Sequence, residues 1–126
     1  MTVAELHFNE PAVLIRIAKL YSPALTPIEL YEATRGVWRV GSRKDSVRLA
    51  LTIARGTVVE VYEVGSWHAA GTTPYVTRPS AEVNWPGRWE FSGKVASHSV
   101  RAKYVGRSLA HYFPRGAANP IAYANV

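Results

Sequence analysis

Short β-branched runs, each broken off by glycine, proline or charge before it can lengthen, recur along this chain and confine it to a fold of small strands. AVLIRIAKL, from Ala12 to Leu20, follows Pro11 and reads as a strand entering the core, with Arg16 the residue out of keeping. VWRV, LALTIA and TVVEVYEV come next, the last two joined by Arg55-Gly56. Val59 and Val61 against Glu60 and Glu63 predict a half-buried hairpin on a glycine turn. Arg88 to Val95 (RWEFSGKV) adds a strand with Trp89 and Phe91 on one face and Glu90 on the other. The tail NPIAYANV is extended and is expected to return to the sheet.

Two helices interrupt this pattern. Thr26, Pro27 and Glu29 make a capping box with proline at the first helical position, which predicts a helix from about Pro27 to Thr34 stopped by Gly36. Ser97 or Ser99 can cap a second helix over Val100 to Tyr104, and SLAHYF can add a turn or two before Pro114. Between them, Gly65 to Gly87 is rich in Gly, Pro, Thr and Ser and reads as one long loop. The sum is an α+β chain: a small, mostly antiparallel, partly open β-barrel of five or six strands with two short helices. Its 126 residues suit a single domain, with residues 1–11 a flexible N-terminal arm.

Composition narrows the partners. A net charge of +6 favours anionic ligands, and six basic residues face one acid, Asp45, between Arg35 and Arg55. The absence of cysteine excludes disulfides, thiolate nucleophiles and cysteine-bound zinc. The N-terminus has no signal-peptide pattern, and no apolar run approaches the roughly 20 residues that span a bilayer, so a cytoplasmic protein without a membrane partner is expected.

Guanidinium groups attract phosphate and indole rings stack on bases, so a basic run containing Trp38 points to DNA or RNA. Arg35, Arg39, Arg43 and Lys44 are expected on phosphates. Trp67, His68 and Tyr75, with Arg78 beside them, are expected to line a pocket beneath the long loop, flanked by Arg107, His111 and Arg115. The competing reading is a solvated rim in which arginines pair with Glu32 and Glu90. Trp85 ends the loop and is exposed in this reading, whereas Trp89 fills the core. Gly106 breaks or caps a helix, leaving Arg107 and His111 on one face four residues apart.

Chemistry beyond binding has weaker support. His68 and His111 are the candidates for acid–base work, but no HxxxH or HxE spacing appears, so neither a metal nor a cofactor is expected. PRGAANP holds no P-loop or dinucleotide pattern. Two alternatives to a binding module stay open: an enzyme acting on a nucleotide or nucleic acid through a His/Arg site, and a protein-interaction accessory in a defence or mobile-element system.

KYVGRSLAHYF (Lys103 to Phe113) resembles the second half of a GIY-YIG nuclease motif. No acid follows Glu90, so the metal-binding glutamate of that nuclease is missing and catalysis by that route is rejected. LYEATRGVWRVG, TVVEVYEVGSWHAAGTTPY, RWEFSGKVA and KYVGRSLAHYFPRGAANPIAYANV resemble a bacterial domain that follows GIY-YIG nuclease domains and also stands alone. That resemblance implies a recognition module without the nuclease. The strand pattern is similar, more loosely, to PUA-like barrels such as ASCH and EVE domains, which bind RNA or modified bases. No diagnostic motif of theirs matches residue for residue, and fold does not fix function.

Overall fold

The structure, a computed structural model describing residues 8–126, threads its first strand through the interior of a sheet. Strand β1 (Ala12–Arg16) lies parallel to β3 (Leu49–Ala54) on one side and antiparallel to β6 (Ile121–Ala124) on the other. From β3 the sheet continues antiparallel through β4 (Thr57–Ala69) and β5 (Trp89–Val95) to a three-residue edge strand, β2 (Gly36–Trp38). The order is β2-β5-β4-β3-β1-β6. The sheet curls into a half-barrel, so the chain is a small α+β protein with a partly open barrel. The parallel β1–β3 pair needs a crossover, which α1 (Pro27–Arg35), β2 and a 3-10 turn over Ser42–Ser46 supply.

Both faces of the central strands are covered, which is why AVLIR and LALTIA read as continuous apolar runs instead of alternating ones. Val13, Ile15, Ala50, Tyr62 and Phe91 pack on one face with Leu30, Tyr31 and Ala33 of α1. Ala12, Leu14, Leu51, Ile53 and Val61 pack on the other with Leu109 and with Tyr104 of α3 (His98–Tyr104). Each fully buried Leu or Ile contributes about 1.5–3 kcal/mol, so two such faces suffice to order a chain of this length.

Local signals act as their chemistry requires. The Thr26 hydroxyl accepts from the Glu29 N–H at 3.3 Å while the Thr26 N–H donates to Glu29 Oε1 at 3.0 Å, starting α1. Arg55 and Gly56 take φ of 53° and 76°, the left-handed pair of a two-residue hairpin turn. Ser97, not Ser99, caps α3, accepting from the Val100 N–H at 3.5 Å.

Other expectations shift. The first strand ends at Arg16 rather than Leu20, because the chain turns at Ile17, whose carbonyl accepts from Leu20 and Tyr21. The long loop divides into residues 70–79 and 84–88, since Ser66 to Ala69 still pair with β5 and Ser80–Val83 form a single turn, α2. There are thus three α-helices among the described residues, not two, with a further 3-10 turn at Ala110–Tyr112. Of the expected N-terminal arm, residues 1–7 lie outside the described part, while Phe8 is buried edge-on against Tyr104, 5.1 Å between ring centres. Among the described residues no helix is long and apolar enough to cross a membrane.

Candidate nucleic-acid interface

Two buried carboxylates hold the 70–79 loop in place. Glu32 of α1 accepts from the Val76 N–H at 2.7 Å, the Thr77 N–H at 2.6 Å and the Thr77 hydroxyl. Glu90 of β5 accepts from the N–H groups of Gly71 and Thr73, each at 2.9 Å, from the Thr73 hydroxyl, and from Tyr75 Oη at 3.2 Å. Burial works to raise the Glu32 carboxyl, but the bonds from Thr77 and Val76, with the Arg35 charge, hold it below its ordinary value of 4.5. Neither acid makes an ion pair with a described residue, so the competing reading, a rim of arginines paired with Glu32 and Glu90, is not formed at these two acids.

Arg35 belongs to this latch and not to a phosphate-binding surface. It is 4% exposed, its Nε donates to the Phe91 carbonyl at 2.9 Å, and its Nη2 donates to the Thr73 hydroxyl at 2.6 Å. Tyr75 stacks on that guanidinium at 4.4 Å, so it too is structural, and burial above all pushes its phenol up. The close approach explains Gly36: a Cβ there would stand 2.5 Å from Tyr75 Oη and 2.9 Å from Glu90 Cβ.

Beside the latch opens a concavity of about 620 Å³ between the C-terminal end of β1 and edge strand β2. Arg16, Lys19, Arg78 and Arg88 line it together with Trp38 and a lone acid, Glu82. Trp38 is half-buried, and its indole N–H donates to the Thr34 carbonyl at 2.8 Å, which fixes the ring. Arg16 stacks on Phe113 at 4.9 Å and donates to the carbonyls of Ala117 at 2.7 Å and Asn119 at 3.3 Å. Arg88 lies over Trp85 at 5.1 Å. Arg39 lines an adjoining depression with Pro86 and Gly87, next in the chain to Trp38 and Arg88 respectively.

Further basic residues precede that rim in the chain. The Arg55-Gly56 turn is bonded to the segment after α3: Leu109 donates its N–H to Gly56, and Val58 donates its N–H to Arg107, both at 3.0 Å. From there the chain passes Arg107, His111 and Arg115 before Ala117 and Asn119 meet Arg16 at the rim. All three are exposed, as is Arg55, and none makes an ion pair with a described residue. Arg107 and His111 do not share a helix face, because α3 stops at Tyr104 and the later turn begins only at Ala110.

The remaining expected residues are dispersed. Lys44 is buried over Trp89 at 4.1 Å and paired with Asp45 at 3.6 Å, which removes it from a phosphate surface. Arg43 lies over Tyr123 at 4.3 Å. Arg48 sits at the opposite end of β3 from Arg55, about 20 Å away at the usual strand rise. Trp67 lies in β4 and packs edge-on against Phe91 at 5.4 Å, so it lines no loop pocket. His68 Nε2 meets the Ser92 hydroxyl at 2.9 Å, while His111 stacks on Tyr112. Among the described residues neither histidine bonds a carboxylate or an arginine, so the convergence an acid–base enzyme needs is not formed.

Sequence reading missed Lys19 and Glu82 of the concavity, and the latch roles of Glu32 and Glu90. Arg16 did leave a signal, as a charge inside an otherwise apolar strand. Compared with known proteins, the chain matches no family model, no curated protein and no solved structure.

Proposed function

We propose that this protein is a nucleic-acid-binding module, with the backbone of DNA or RNA following Arg55, Arg107 and Arg115 to the concavity at the end of β1. The observation that carries the reading is the gathering of Arg16, Lys19, Arg78 and Arg88 around Trp38, with exposed cations leading to it. Guanidinium and ammonium groups without acidic partners attract phosphate, and a fixed indole offers a stacking face. The volume also falls within the ~300–1,000 Å³ of small-ligand sites, so an unstacked base fits. The curled sheet is in keeping with the loose likeness to PUA-like barrels, and a cytoplasmic setting follows from the partner.

Fluorescence anisotropy with single- and double-stranded oligonucleotides at about 50 and about 200 mM salt tests this reading. Roughly three to five phosphate contacts give a steep loss of affinity over that range. Absent binding, or binding indifferent to salt, rejects the proposal.

A further inference from the structure

Glu82 is out of place. It lines a concavity with four cations, yet its carboxylate makes neither an ion pair nor a hydrogen bond with any described residue. A site built for phosphate alone gains nothing from such a group, because it lowers the local positive potential. A carboxylate accepts only, so on the wall of a binding site it suits a ligand that brings N–H donors.

Arg78 supplies the complementary half. Its Nη1 is occupied by the carbonyls of Glu32 and Gly36, and its Nε is enclosed without a partner. Its Nη2 is neither bonded nor enclosed, and the side chain lines both the concavity and a smaller depression beside Tyr75. Those bonds fix the guanidinium and leave one of its nitrogens unspent. Trp38, held by its own N–H, packs partly against the core and also lines the concavity, where it offers a surface to a flat ring.

We propose that the concavity takes a single unpaired guanine, an inference that rests on the nucleic-acid reading above. Guanine presents N1–H and N2–H₂ side by side, which the two oxygens of Glu82 can accept together, with O6 adjacent for Arg78. Adenine and cytosine place a lone-pair nitrogen beside their amino group, opposed to a carboxylate oxygen. Uracil offers one N–H between two carbonyls. Each of the other bases thus leaves a carboxylate oxygen unmatched or repelled, the kind of mismatch that polar sites reject most strongly.

The test compares one single-stranded oligonucleotide carrying guanine, inosine, adenine, cytosine or uracil at one position in an otherwise constant sequence. Guanine is expected to bind about tenfold more tightly than the rest, and inosine, lacking the 2-amino group, to lose most of that advantage. Glu82→Gln, an exchange at an exposed position, is expected to abolish the preference while leaving binding salt-dependent and the melting temperature unchanged. Equal affinity for all five oligonucleotides, with salt-dependent binding intact, overturns the guanine assignment and spares the nucleic-acid reading. Binding of none of them overturns both.

Discussion

The surface around α3 and the surface at the C-terminal end of β1 hold the same basic residue types in opposite states. Around α3, Arg101 grips Glu60 at 2.7 and 3.2 Å, Lys103 meets Glu10 at 2.7 Å, and Lys94 faces Glu63 at 3.6 Å. At the other surface Arg16, Lys19, Arg55, Arg107 and Arg115 have no acidic partner among the described residues. Paired cations neutralise their neighbours and serve the fold. Unpaired ones add their fields, so positive potential gathers at the second surface.

The sharpest way to break this division is to undo the latch beside the concavity. Glu90→Ala orphans two backbone N–H groups and two hydroxyls, and a loss of about 3 kcal/mol or more is expected in urea denaturation. A loss below about 1 kcal/mol would mean that the loop is held by something else. Glu32 adds a pH dependence. Its folded carboxyl binds a proton less readily than the unfolded one, so its contribution is complete above pH 4.5 and disappears as pH falls through the lower folded value. Glu32→Gln should flatten stability against pH in that acid window.

Next in size is the combined change Arg55→Ala, Arg107→Ala and Arg115→Ala. The slope of log affinity against log salt should fall by about 2 to 3, with melting temperature unchanged, if each residue meets one phosphate. Thr26→Ala should cost about 1 kcal/mol of stability by uncapping α1, the helix that carries Glu32 and Arg35. Smallest is Arg101→Ala, at about 1 kcal/mol or less for a half-exposed pair, with nucleic-acid affinity unaffected. A drop in affinity from Arg101→Ala alone would erase the contrast between the two surfaces.

What the amino-acid order revealed, and what it hid, follows from the range of the interactions. The Thr26 cap, the Arg55-Gly56 turn and the Ser97 cap depend on residues at most three apart, so their chemistry is visible in a short window. Glu32 and Glu90 were hidden because a lone acid among alternating residues looks like a solvated face, and their partners lie 15 to 45 residues away. The basic run misled for a related reason. The six residues of β3 separate Arg48 from Arg55, while Arg35 and Lys44 turn inward onto Phe91 and Trp89. Arg55 instead joins Arg107, a neighbour made only by the backbone bonds of the folded chain.

The position of β1 also governs how this molecule is assembled. Ala12 pairs with Leu49 on one flank and with Ala124 on the other, so during synthesis the strand must wait for the whole intervening polypeptide to emerge. Until β6 arrives, one flank of a row of aliphatic residues stands open, a template onto which a neighbouring nascent chain can add. Shortening the protein before Ile121 should therefore be seen first as aggregation during expression, ahead of any loss of ligand.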